Sequence, residues 1–169
     1  MVKRMRKESL QGDMKFISLL EKMGCTVSWE RDGRQNLWLK GPDGKLKGME
    51  VKMSDFSDQA LTLAAIAPFA DSEVTITGIA HIRGQESDRI KVIVDELAKM
   101  GILCNELPDG VKIHPGTPKN TNIETYNDHR VAMSFAVTGL AGDGMTILNP
   151  MCCKKTFAGF FDEIDRLEE

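Results

Sequence analysis

Chemistry in this 169-residue chain is concentrated in short stretches that place charged side chains where a loop meets a helix start. In SDQALTLAA, Asp58 precedes an alanine-rich run. A single aspartate there can be an N-cap accepting a backbone N–H, or a carboxylate aimed at a ligand. In RGQESDR, residues 83–89, the spacing places Glu86 and Arg89 on one face at the beginning of a helix. They can form a capping and ion-pair set, or Arg89 can bind an anion at the positive helix end while Glu86 handles a proton. The planar fork of arginine suits carboxylate and phosphate. In TYNDHR, residues 125–130, Asn127 or Asp128 caps another helix and Arg130 falls in its first turn. A cation there opposes the helix dipole, so a compensating anion is expected, either Asp128 or an external ligand. Lys154-Lys155-Thr156 adds cations ahead of the last helix, as solvated surface or as part of the same cleft.

The elements that must position these groups follow from periodicity. Met14, Phe16, Ile17, Leu19, Leu20 and Met23 recur at helical spacing, with Asp13 as N-cap and Gly24 as stop. Residues 25–30 and 36–40 read as strands around a turn centred on Asp32-Gly33. The next stretch predicts a strand at 47–53, a helix at 59–70, a strand at 73–77, a helix at 86–100 and a hairpin of 102–106 with 110–114 about Pro108-Asp109. The pattern then restarts, with a strand at 122–124, a helix at 128–140, a strand at 145–148 and a helix over about 156–167. Ser57-Asp58 matches Asn127-Asp128 at an offset of 70, and Val74-Thr75-Ile76 matches Met145-Thr146-Ile147 at 71.

The expected fold class is therefore α/β (α+β), built from repeated βαβαββ units in a single incomplete domain over residues 1–169. One copy is complete at about 47–115, with partial copies at about 10–46 and 116–169. The cut copies predict that missing strands come from elsewhere in a longer chain, and that uncovered sheet edges promote self-association. Repeat geometry puts equivalent helix starts on one face. Asp58, Glu86, Arg89, Arg130 and Lys155 then converge as three cations and two carboxylates, a site suited to a small dianionic or trianionic substrate.

Composition narrows the alternatives. Twenty-two basic and 25 acidic side chains leave a net charge of −3, and with one Tyr and two Trp the chain lacks the basic stripe with stacking aromatics of a nucleic-acid groove. A chain of this length buries about 70% of its unfolded surface, so it needs no disulfide or structural metal. Cys25, Cys104, Cys152 and Cys153 and the scattered His81, His114 and His129 show no zinc-type spacing; reduced thiols, no metal and a cytoplasmic location are expected. No apolar run is long enough to span a bilayer, and the basic N-terminus lacks the apolar core of a signal peptide.

The strings LQGDMKFISLLEKMGC, SDQALTLAA, RGQESDRI, TYNDHRVAMSFAV and KKTFAGFFDEID, in this order over about residues 10–167, resemble the C-terminal part of the 5-enolpyruvylshikimate-3-phosphate synthase family, or 3-phosphoshikimate 1-carboxyvinyltransferases. The resemblance implies transfer of the enolpyruvyl group of phosphoenolpyruvate to the 5-hydroxyl of 3-phosphoshikimate with release of phosphate, in the shikimate pathway to chorismate and the aromatic amino acids. These enzymes are glyphosate targets and need no metal or organic cofactor. Their two similar domains each hold three βαβαββ units, with the substrates between them. Residue by residue, it implies that Asp58 contacts 3-phosphoshikimate and accepts a proton, and that Glu86 transfers a proton at the enolpyruvyl methylene. Arg89, Arg130 and Lys155 hold phosphoenolpyruvate, Lys155 also assisting as acid or base. Gln85 and His81 fall at 3-phosphoshikimate-touching positions where many members carry lysine and asparagine. The family's N-terminal lysine-serine pair, glycine-rich loop, second phosphoenolpyruvate arginine and serine-serine-glutamine clamp have no counterpart in this sequence, so the chain is expected to carry half of a site and to need the missing N-terminal domain for activity. The competing expectations are a non-catalytic anion-binding domain and a UDP-N-acetylglucosamine 1-carboxyvinyltransferase, whose unit fold is similar. RNA 3′-phosphate cyclases share a related unit, but the weak basic character argues against them.

Overall fold

The computed structural model describes residues 1–30 and 36–168. Helix α1 (Met14–Lys22) ends at a left-handed Gly24, φ +103°, where the Cys25 N–H returns to the Leu20 carbonyl at 3.0 Å. Asp13 occupies the N-cap position but makes no side-chain capping bond. Strands β1 (Thr26–Trp29) and β2 (Leu37–Lys40) pair antiparallel, with Thr26 opposite Lys40. The turn expected at Asp32-Gly33 lies outside the described residues.

The central unit runs β3 (Met49–Lys52), α2 (Ala60–Ile66), β4 (Val74–Thr77), α3 (Arg89–Lys99), β5 (Cys104–Leu107) and β6 (Gly110–Ile113). Its sheet has the order β3-β4-β6-β5, with β3 parallel to β4 and the other neighbours antiparallel. Register places Val51, Ile76 and Val111 in one row, and Met49, Val74 and Ile113 in the next. These apolar positions make one face, joined in the core by Leu61, Leu63, Ile90, Ile93 and Leu97 of the two helices, while Glu50, Thr75 and Lys112 occupy the alternate positions. The helix expected at 59–70 is shorter than its pattern, because 3-10 turns at Ser57–Gln59 and Ala67–Phe69 flank it and Pro68 cannot continue an α-helix.

The pattern then restarts with β7 (Asn122–Ile123), α4 (His129–Ala141), β8 (Thr146–Ile147) and α5 (Phe160–Glu168). Strands β7 and β8 pair parallel, Ile123 opposite Ile147, as Val51 stands opposite Ile76. Gly78 (φ +73°) and Asn149 (φ +53°), 71 positions apart, each follow the second strand and lead into a 3-10 turn, at Ala80–Gly84 and Pro150–Lys155. Helix α5 starts at Phe160, later than expected, and Lys155 closes the 3-10 turn ahead of it. Phe135 of α4 is wholly buried, a burial that contributes on the order of 2–3 kcal/mol. Among the described residues no helix is long and apolar enough to cross a membrane, and all four cysteines are free.

Candidate active site

Helices α2 and α4 occupy equivalent places in successive units and pack against one another. Thr62 and Ser134 meet at 3.5 Å, and the Thr138 hydroxyl donates to the Ala65 carbonyl at 2.9 Å, pairs 72 and 73 positions apart. This constant offset makes the helices run in the same direction, so their N-termini meet. There Arg130 donates from Nη2 to Asp58 Oδ2 at 2.8 Å and from Nη1 to the Asp58 carbonyl at 3.4 Å. The Arg130 guanidinium is thus paired with Asp58 of the preceding unit, a partner not among the sources expected, while Asp128 accepts the Arg130 N–H at the same helix start. Asp58 lies inside the 3-10 turn before α2 and makes no capping bond.

Arg89 enters from α3 and is buried, its side chain 4% exposed. Its Nε donates to Asp128 Oδ2 at 2.8 Å and its Nη2 to Oδ1 at 3.2 Å, a bidentate pair with a fully buried carboxylate. Asp128 also accepts from the Ser87 hydroxyl at 3.0 Å and caps α4 through the Arg130 N–H at 2.9 Å. Burial pushes the Asp128 carboxyl up, but the Arg89 guanidinium together with the Arg130 N–H and the Ser87 hydroxyl outweighs it and holds the group below the ordinary aspartate range. Arg89 Nη1 reaches Asp58 Oδ1 at 3.5 Å and also donates to Gln85 Oε1.

Glu86 does not share a helix face with Arg89, because α3 starts at Arg89 with Asp88 as its N-cap. Released from the helix, the Glu86 carboxylate turns to Lys155 Nζ at 2.8 Å and to His129 Nδ1 at 3.0 Å. The Lys155 hydrogen bond draws its carboxyl below the usual range, against burial and the nearby Asp128 charge. The turn carrying Lys155 is fixed by Cys153, whose thiol, pushed up to about 12 by burial and by Cys152, donates to the His129 carbonyl at 3.7 Å. His81 stands at the edge, its Nε2 2.8 Å from the Ser57 hydroxyl beside Asp58.

The structure thus links Asp58, Gln85, Glu86, Arg89, Arg130 and Lys155 through one web of contacts that includes Asp128 and His129, with His81 beside it. Glu86, Asp128 and His129 offer ligand atoms within 4.8 Å of one another, and Lys155 and Arg89 already hydrogen-bond the two carboxylates. Asp58, Glu86 and Lys155 keep the cluster in contact with solvent, their side chains 44%, 37% and 53% exposed. The roughly 500 Å³ apolar groove lined by Ala136, Leu140, Met145, Phe161 and Ile164 lies elsewhere, between α4 and α5. Tyr126 and Asn127, just before the cluster, both take positive φ, +52° and +55°, a strain of order 1–3 kcal/mol for each such residue.

Comparison with known proteins decides the family. The family model described as EPSP synthase (3-phosphoshikimate 1-carboxyvinyltransferase) matches residues 1–164. The chain belongs to the EPSP synthase family. It is 45% identical over 168 residues to the 3-phosphoshikimate 1-carboxyvinyltransferase of Nostoc punctiforme, covering 99% of this chain and 38% of that protein. It is also 45% identical over 159 residues to 3-phosphoshikimate 1-carboxyvinyltransferase 2 of Halalkalibacterium halodurans, covering 93% and 35%. The fold matches the EPSP synthase of Acinetobacter baumannii with a TM-score of 0.78 and 29% identity, over 89% of this chain and 38% of that one. The enolpyruvyl transferase NikO of Streptomyces tendae, TM-score 0.71 over 90% of this chain and 34% of that one, is 21% identical and shows the shared fold alone. The chain spans little more than a third of the length of these EPSP synthase relatives.

Neither His129 nor the pairing of Asp128 with Arg89 is legible in the sequence, because both depend on how the EPSP synthase fold brings successive units together. The only local signal was the adjacency Asp128-His129-Arg130 in the first turn of an apolar helix, which reads equally well as a simple cap. Ser87 gave no signal, since its bond to Asp128 spans 41 positions.

Proposed function

We propose that this chain supplies one face of an active site that transfers the enolpyruvyl group of phosphoenolpyruvate to the 5-hydroxyl of 3-phosphoshikimate and releases inorganic phosphate. The observation that carries the reading is the meeting of three helix-start loops in a cluster of Arg89, Arg130 and Lys155 with Asp58, Glu86 and Asp128. Arginine forks and a lysine suit the carboxylate and phosphate of phosphoenolpyruvate, and the carboxylates stabilise the oxocarbenium-like centre that develops as the vinyl carbon is attacked. Asp58 takes the proton of the attacking hydroxyl. The methylene carbon gains a proton from the Lys155–Glu86 pair and returns it as the C–O bond to phosphate breaks. The Lys155 hydrogen bond draws the Glu86 carboxyl below the usual range, so Glu86 starts deprotonated.

Gln85 and His81 border the 3-phosphoshikimate side in this reading, and the remaining binding groups belong to the rest of a longer enzyme. Four free cysteines support a reducing, cytoplasmic setting. The short β7–β8 pair, which among the described residues has no third strand where the central unit has β6, supports self-association of the isolated chain; sedimentation should show mass rising with concentration, and a constant monomer mass would refute it.

The test of function is phosphate release from phosphoenolpyruvate plus 3-phosphoshikimate by the chain alone, by the chain with the remaining portion of the enzyme, and by that mixture carrying Arg130→Ala. Turnover is expected only in the two mixtures, and about 100-fold lower in the one carrying Arg130→Ala. A folded mixture without turnover would favour the non-catalytic anion-binding alternative.

A further inference from the structure

We propose that Glu96, which lies outside the site, is a positioning residue that holds Tyr126 and Asn127 in their left-handed turn and so delivers Asp128 and Arg130 to Arg89 and Asp58. Glu96 sits two turns into α3 with its side chain fully buried, an unusual place for a carboxylate. Its oxygens are used from two directions. Lys99, one turn along α3, reaches Oε1 at 2.8 Å and Oε2 at 3.0 Å. The segment entering α4 supplies the other donors, the Tyr126 hydroxyl to Oε1 at 2.8 Å and the Glu124 N–H to Oε2 at 3.2 Å. Those two bonds bracket Thr125, whose carbonyl accepts the Asp128 N–H at 2.8 Å.

The strained residues therefore lie between an anchor at 124–126 and the cap at Asp128. A non-glycine residue holds positive φ only where its surroundings over-determine it, and of the two, Tyr126 is the less suited. Beside the 3.5 Å contact of Asn127 with Asn149 and the 3.4 Å bond from the Tyr126 N–H to the neighbouring Glu124 carboxylate, the bonds to Glu96 are the shorter ones and tie the turn to another helix. Arg89 and Glu96 stand on the same helix seven positions apart. Helix α3 thus grips the α4 start twice, through Arg89 on Asp128 and through Glu96 on the approach. Without the second grip the turn relaxes, Asp128 shifts against Arg89, and Arg130 loses its line to Asp58.

Glu96→Gln tests this with little change of shape, since the amide turns one acceptor oxygen into a donor, so that either the Tyr126 hydroxyl loses its charged acceptor and must turn to accept instead, or the Glu124 N–H faces a donor. Tyr126 is the chain's single tyrosine, so phenol absorbance reports this contact alone. In the native chain burial, then the bond to Glu96, with Asp95 and Glu124 nearby, raises the phenol well above an ordinary tyrosine. In Glu96→Gln the phenol should titrate closer to the ordinary range, and the amides of residues 124–130 should exchange about tenfold faster while β4 and the middle of α3 keep their protection. Inorganic phosphate should bind about fivefold more weakly. Tyr126→Phe, which keeps the Glu124 bond and removes the phenol, should give the same changes in exchange and in phosphate binding at smaller size. Faster exchange spread evenly through α3 and β4, unchanged exchange at 124–130, or a loosened loop with unchanged phosphate affinity would each overturn the positioning role. Only the phosphate arm rests on the anion-site reading. A native chain that binds no phosphate would sink that reading, and the exchange pattern would still decide the role of Glu96.

Discussion

Helices α3 and α4 begin with the same local device, an aspartate cap with an arginine close behind. Asp88 accepts the Lys91 N–H at 3.1 Å, is 38% exposed and shares the Arg83 guanidinium with Glu106. Asp128 accepts the Arg130 N–H at 2.9 Å, is fully buried, and takes the Arg89 guanidinium from the other helix. A cap at the rim stays a cap, because water competes for every contact it makes. A cap pressed against the next repeat must satisfy the charge of that repeat, and it becomes the centre of a charged cluster.

The largest effect that could break this comparison is expected from Asp128→Ala. It leaves Arg89 buried without its partner and should cost about 3–5 kcal/mol in urea unfolding; a loss no greater than that of Asp88→Ala would erase the distinction. The same carboxylate gives stability a pH dependence. Its folded value lies below the ordinary aspartate value of 3.8, so its contribution is present at neutral pH and is lost as pH falls below that value toward the folded one. Unfolding midpoints measured through this acid window should fall less steeply in Asp128→Asn. Next is Arg130→Ala, which should lower phosphate release by the supplemented enzyme about 100-fold. Its stability should change by less than about 1 kcal/mol, because the Arg130–Asp58 pair is half-exposed. Asp88→Ala should cost about 1 kcal/mol, the usual value of a lost cap, in the same urea series. The smallest effect is expected at the rim of the cluster. Lys155→Met should leave stability within about 0.5 kcal/mol, while the Glu86 carboxyl, followed by NMR, titrates closer to an ordinary glutamate.

What the sequence could disclose follows the range of each interaction. Both helices of the central unit, its hairpin and the restart of the pattern were legible because apolar period and turn residues act over a few positions. The start of α3 was misplaced by three residues, since Glu86, Ser87 and Asp88 are all plausible first-turn residues and only the capping geometry of Asp88 separates them. Five charged members of the cluster could be named from their places at equivalent helix starts. Their partners could not. Asp128 reads locally as a cap, Glu96 as one more polar position on an amphipathic helix, and His129 as a chance neighbour of Arg130, because the contacts that give them meaning come from other units.

The contacts that hold the cluster join residues 31, 39, 69 and 72 positions apart. Closing loops of that length costs entropy before any contact repays it, so such contacts form late. During synthesis Asp58 and Arg89 leave the ribosome well before Asp128 and Arg130, and Lys155 comes last. The cluster is therefore a marker of completed folding. In a refolding experiment protection at the Arg130 amide should lag behind that of the β5–β6 hairpin, and a nascent chain halted before residue 128 should present Arg89 to solvent, open to whatever anion or chaperone reaches it first.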